Sequence, residues 1–143
     1  MTLRRFFLSC ILMVSALSPA LGQTAATEPT LAIKGYDTVA YFAMGKPMKG
    51  DPAISFVWDG TRYLFSSEEH RRLFAADPTK YAPQFSGYCA ASLAKGIKVD
   101  AQPERWAIVD GRLFLFAGPG GADAARRDPA LVARAQENWA RQH

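Results

Sequence analysis

Thiol and imidazole are the reactive groups in this chain, and both are scarce. After the amino-terminal segment Cys89 is the sole cysteine, and the two histidines are His70 and the terminal His143. A general base or imidazole ligand must therefore come essentially from His70. A thiolate is both a nucleophile and a soft-metal ligand, and its fraction rises near a cation or a helix amino terminus. Gly87-Tyr88-Cys89 opens an expected helical stretch, which offers such a setting. The competing reading is that Cys89 packs beside Tyr88 and Ala90 as a small apolar residue, since free cysteine is among the most buried types. Both readings stay open at this level.

His70 precedes Leu73 and Phe74 by three and four positions, so on a helix it shares their apolar face and is expected to be partly buried. It reads either as a core-edge residue or as a ligand. Met44 and Met48, spaced around Gly45 and Pro47, add thioethers of the kind that suit cuprous ion. Cys89, His70, Met44 and Met48 thus form the candidate soft-metal set, with copper the implied ion, and Cys89 is the catalytic candidate if the thiol is redox-active. Glu68 and Glu69 are not read as an acid/base pair, because two acids in the first turn of a helix are explained by capping and by the helix dipole. The chain has no CxxC, HExxH, GxSxG, GxxxxGK[ST] or GxGxxG, so zinc, hydrolase and nucleotide readings have no anchor. The glycines of GPGG, Gly118 to Gly121, lack a phosphate-reaching lysine and read as a plain loop.

The elements that must hold these groups follow from length and local chemistry. At 143 residues with 49% hydrophobic and 21% charged residues, one globular domain is expected. Arg4 and Arg5 precede an uncharged run from Phe6 to Leu17, and Ala20-Leu21-Gly22 presents small residues for cleavage before Gln23. That run spans roughly 18 Å as a helix, too short for a membrane core of about 30 Å, so a cleaved signal peptide over 1–22 is expected and a transmembrane anchor is not. The arginine pair also partly fits a twin-arginine signal. Residues 23–30 read as a flexible leader and 31–143 as the domain. Export implies a periplasmic or secreted protein, with a periplasmic protein or metal donor as the expected partner. Without Arg4 and Arg5 there are 15 basic residues against 13 acidic, which removes the electrostatic case for nucleic acid.

Ala53 to Trp58 and Thr61 to Ser66 flank Asp59-Gly60, and Arg105 to Val109 and Arg112 to Phe116 flank Asp110-Gly111, so two β-hairpins are predicted. Ser66 and Glu69 form a capping box, which predicts a helix from about Ser67 to Ala76, stopped by Asp77-Pro78. Another helical stretch is expected within Tyr81 to Ala94. Asp128-Pro129 opens a final helix through Gln142, with Val132, Ala135 and Trp139 on its inner face. Of the 15 aromatic residues beyond Phe7, 11 lie between Tyr36 and Tyr88, which places the expected packing centre in that half. Nothing repeats at a solenoid period, and two hairpins of different sequence are too little to indicate duplication. The fold class is α+β: a small single domain with two hairpins, a capped helix after the first, and a carboxy-terminal helix packed on the core.

KGYDTVAYF (Lys34 to Phe42), GTRYLFSSEEHRRLFAADPTKYAPQFSGYCA (Gly60 to Ala90), RWAIVDGRLFLF (Arg105 to Phe116) and Asn138-Trp139 together resemble the exported YHS domain-containing proteins of bacteria. The resemblance covers nearly all of the chain beyond the signal segment and names a family without a settled activity. Shorter YHS and related metal-associated domains, often appended to copper-transporting ATPases, carry cysteines in patterns resembling DPVCGM and FCSxxC, which implies heavy-metal binding. Here Ala40 and Ser66 stand where those thiolates would be, and His70 alone remains a ligand type. Thr38 replaces a proline usual in the longer relatives. Some of those relatives carry selenocysteine at the GYCA position, which implies a redox or metal role for Cys89. The expected function is a soft-metal or redox-responsive binding module centred on Cys89. The alternatives are a thiol oxidoreductase working with a partner in trans and an interaction domain with an inert, buried Cys89.

Overall fold

Two Asp-Gly turns set the architecture. Asp59 and Gly60 adopt φ of 49° and 68°, and Asp110 and Gly111 adopt 50° and 72°, the paired left-handed geometry that matches the twist of a tight hairpin. In the computed structural model, which describes residues 27–143, these turns join β2 (Asp51–Trp58) to β3 (Thr61–Phe65) and β4 (Gln102–Val109) to β5 (Arg112–Phe116). A short β1 (Thr30–Leu31) lies parallel to β3, giving a three-stranded sheet in the order β1-β3-β2, and β4 and β5 form a separate two-stranded sheet. The expected signal segment and its cut site lie outside the described residues.

All but the last of the six helices among the described residues are short, and four carry a side-chain cap. Asp37 caps α1 (Thr38–Ala43), Ser67 caps α2 (Glu68–Ala76), and Asp77 caps α3 (Pro78–Tyr81). Cys89 stands at the cap position of α4 (Ala90–Leu93), α5 (Gly121–Arg127) follows the GPG turn, and Asp128 caps α6 (Pro129–Gln142). Two corrections to the sequence reading follow. Ser67, not Ser66, caps α2, its hydroxyl accepting the His70 amide, and this releases the Ser66 hydroxyl for another partner. Gly121 is the first residue of a helix, so the supposed plain loop ends at Gly120.

The two hairpins belong to two units of the same build, where the sequence reading saw no duplication. Each β2–β3 pairing has a β4–β5 counterpart 51 residues on: Asp51↔Phe65 with Gln102↔Phe116, then a bulge, then Ser55↔Leu64 with Trp106↔Leu115. Upstream, Ile33-Lys34-Gly35 and Phe85-Ser86-Gly87 each form a left-handed turn with all three φ positive. Each turn leads through a tyrosine into a helix cap, Asp37 or Cys89. The Asp37 amide donates to Met48 at 2.8 Å, and the Cys89 amide donates to Val99 at 2.9 Å. Downstream, Asp77-Pro78 and Asp128-Pro129 open α3 and α6 in matching places.

Each unit has its own core. Phe74 of α2 is fully buried among Tyr63, Phe65, Phe56 and Trp58, with ring centroids 4.4 to 6.3 Å away; burying such a ring is worth roughly 2 to 3 kcal/mol. The other cluster gathers Cys89, Leu93, the inner face of β5 and Val132 and Ala135 of α6. It has 15 buried members against 7 in the first, so the packing centre lies with the second hairpin and not in the aromatic-rich half, as the aromatic count had suggested. Alanines and leucines fill what aromatics fill in the first unit. The terminal helix packs on this core as expected, with Trp139 against Phe85 at 5.9 Å and the Asn138 amide donating to the Leu93 carbonyl at 2.8 Å. Tyr41 crosses from α1 into the second core, where its hydroxyl donates to the Pro103 carbonyl at 2.8 Å. Ile33 and Phe42 pack against both clusters.

Candidate functional site

The first unit holds a buried carboxylate that the sequence reading did not single out. Asp37 has no exposure, and its two oxygens accept five bonds. Oδ1 takes the amides of Val39 and Ala40 at 2.9 and 3.2 Å, the second and third residues of α1. Oδ2 takes the Ser66 amide at 2.8 Å, the Ser66 hydroxyl at 2.7 Å and His70 Nδ1 at 2.6 Å. A buried carboxylate is tolerated only when its lone pairs are occupied, and here they are. His70 sits on α2 as the spacing predicted, partly buried with its side chain 12% exposed. Its Nδ1 is held by Asp37, which fixes the ring and leaves Nε2 without a hydrogen-bond partner among the described residues. Next to this cluster the Thr38 hydroxyl is buried with no partner.

Cys89 occupies the matching place in the second unit. It is 2% exposed and its strand-like contact is to Leu115 of β5. The neutral thiol makes no capping bond. Burial pushes the thiol up, but the Ser92 hydroxyl and the amides of Ala117, Ser92 and Ala91 outweigh that and hold it below its ordinary 9.0. These are counterparts of the groups around Asp37: the second and third amides of the following helix, and the amide one residue beyond the inner hairpin strand. The sulfur is therefore covered, yet faces donors that favour its anion.

The structure does not bring the predicted ligand set to one centre. His70 serves Asp37, and Met48 receives the Asp37 amide through its backbone carbonyl. Met44, at the end of α1, is 53% exposed. All three belong to the first unit and Cys89 to the second. Among the described residues no three of His, Cys, Asp and Glu gather as a metal centre, so Cys89 does not join the Asp37–His70 pair. Glu68 and Glu69 lie in the first turn of α2, where Glu68 pairs with Arg71 at 2.8 Å on the surface, consistent with their helical role.

A groove of about 940 Å³ runs between the two left-handed turns, past Lys34, Ser86, Tyr88 and Trp139. Neither Cys89 nor His70 lines it. Lys98 lies over both Tyr88 and Trp139, at 4.9 and 5.1 Å from the ring centroids, which closes part of its wall. No helix among the described residues is long and apolar enough to cross a membrane.

The signal that identifies Asp37 in the sequence is a comparison of the chain with itself: GYD before one hairpin and GYC before the other, with WDGTRYLF echoed by VDGRLFLF. Compared with known proteins, the chain matches no family model, no curated protein and no solved structure, so the roles of Asp37, His70 and Cys89 rest on the geometry of the two units.

Proposed function

We propose that the chain is an exported YHS-type domain that works as a thiol-based, redox-responsive module centred on Cys89. What supports this reading is the place of Cys89 at the cap position of α4, matching that of Asp37 on α1, where the Ser92 hydroxyl and the amides of Ala117, Ser92 and Ala91 lower the thiol despite its burial. A thiolate so held attacks one sulfur of an external disulfide; a new S–S bond forms, the old one breaks, and its electron pair leaves with the released thiolate. Cys89 has no second cysteine after the signal segment, so a thiol supplied by a partner must resolve the mixed disulfide. Among the described residues no three of His, Cys, Asp and Glu gather at Cys89, which favours the redox reading over a multi-donor copper site. The 2% exposure of Cys89 favours a second reading, an interaction domain with an inert sulfur.

One titration separates them. The ultraviolet thiolate band of the folded chain, followed against pH with Cys89→Ser as the blank, is expected to rise below the ordinary thiol value of 9.0. Ser92→Ala is expected to move the transition upward. A transition at or above 9.0, together with no reaction of the folded protein with a small disulfide, would leave the inert-sulfur reading in place.

A further inference from the structure

We propose that the groove between the two left-handed turns binds a small planar organic monoanion, an aromatic carboxylate or sulfonate, whose ring lies on Trp139 and whose acid group meets Lys98. Neither Cys89 nor His70 lines this groove, so the inference stands apart from the thiol reading.

Size and backbone both mark the place. At about 940 Å³ the groove falls at the upper end of the range for small-molecule sites. Ile33, Lys34, Phe85 and Ser86 line it, and all four hold a positive φ, 31°, 56°, 57° and 51°, without being glycine. For the β-branched Ile33 that geometry is a genuine outlier, and strain of this kind gathers where a ligand is held. The two turns also touch each other: a Cβ on Gly87 would come within 2.8 Å of the Ile33 side chain.

The chain itself shows what one wall accepts. His143 lines the groove with its ring centroid 3.9 Å from that of Trp139 and its plane 31° from parallel, a flat ring held against an indole. The Lys98 ammonium lies 5.1 Å from the centroid of the same indole and 4.9 Å from that of Tyr88, so two ring faces fix it in place. Among the described residues Lys98 has no carboxylate partner, and Lys34 donates to Gln102 Oε1 at 3.1 Å and forms no ion pair. A ligand ring seated where His143 lies gains the contact with Trp139, and a negative group on it gains a charge-assisted hydrogen bond from Lys98. Asp59 and Asp100 also line the groove and pair with no cation among the described residues. Their carboxylates repel a second negative charge, so a monoanion fits where a nucleotide or other polyphosphate does not.

Anilinonaphthalene sulfonate, which joins flat rings to one sulfonate, is the probe. Titrated with the folded full chain, its fluorescence is expected to rise to saturation at one site per chain and to be reversed by naphthoate but not by an equal concentration of ATP. Phenylnaphthylamine, the same rings without the acid group, is expected to bind about tenfold more weakly. Lys98 is exposed, so its loss does not endanger the fold, and Lys98→Gln is expected to weaken the sulfonate about tenfold. Lys95→Gln, outside the groove, is expected to leave it unchanged, and His143→Ala, which clears Trp139, is expected to tighten it. No saturable binding, equal affinity for the uncharged rings, displacement by ATP as readily as by naphthoate, or equal losses in Lys98→Gln and Lys95→Gln overturns the proposal. Weaker binding in His143→Ala overturns the stacking on Trp139 that it rests on.

Discussion

Asp37 and Cys89 stand at the same place in two successive units of one build, each following a left-handed turn and a tyrosine, each at the cap position of a short helix, and each donating its amide to the loop that follows that helix. What differs is the side chain and its company. The carboxylate has His70 and the Ser66 hydroxyl over it, while the sulfur has the Ser92 hydroxyl and amides alone.

Removing the carboxylate leaves the amides of Val39, Ala40 and Ser66 buried without acceptors and strips His70 of its partner. Asp37→Ala is therefore expected to cost about 3 kcal/mol and His70→Ala about 1 to 2 kcal/mol, measured by denaturant unfolding. An Asp37→Ala midpoint equal to the parent's would show that the cluster does not hold the first unit together.

Thr38→Val replaces a buried hydroxyl that has no partner with a methyl group of similar size. Because the native state already bears the desolvation cost, the substitution is expected to stabilise by about 1 kcal/mol in the same unfolding assay. A loss of stability would mean that the hydroxyl is satisfied in solution.

Cuprous ion offers a direct reading of the ligand set. With His70 committed to Asp37 in one unit and Cys89 in the other, any cuprous binding at Cys89 is expected to be lost in Cys89→Ser and unchanged in His70→Ala. Equal loss in both variants would show that the two residues do meet, and would restore the shared soft-metal site.

Two pH effects have opposite signs. Burial, with Asp59 nearby, pushes Tyr63 from 10.0 up to about 12, so the folded chain keeps a phenolic proton that the unfolded chain gives up. That stabilisation is complete below pH 10.0 and is lost as pH rises through about 12; Tyr63→Phe is expected to flatten the alkaline decline between those values. Cys89 lies below 9.0 in the folded state, so its contribution is complete above that pH and is lost as pH falls through the folded value. The stability difference between the parent and Cys89→Ala should accordingly grow as pH rises toward 9.0. A constant difference across that range would contradict a depressed thiol.

Local chemistry made much of the fold legible in the sequence. Asp59-Gly60 and Asp110-Gly111 specify their hairpins within a few residues, and Asp77-Pro78 and Asp128-Pro129 mark a helix stop and a helix start wherever they occur. Three helices were missed: α3 opens at Asp77-Pro78, read only as a stop, and α1 and α5 had their signals hidden. Thr38 and Val39 are β-branched, and α1 is held by the Asp37 cap and by burial, not by propensity. Gly118 to Gly121 reads as loop, yet Gly121 is required inside α5 because any larger residue meets Phe116. The site was harder still. His70 finds its partner 33 residues away and Cys89 meets the Ala117 amide across a hairpin, contacts that no local window contains.

Tyr41 starts in the first unit and ends in the core of the second, bonded to the Pro103 carbonyl, and Ile33 and Phe42 touch both clusters. Neither half can therefore be peeled away without tearing hydrocarbon from the other. The chain should melt as one body, with a single calorimetric peak, and a split made near Pro83 should yield two fragments that hold structure only when mixed.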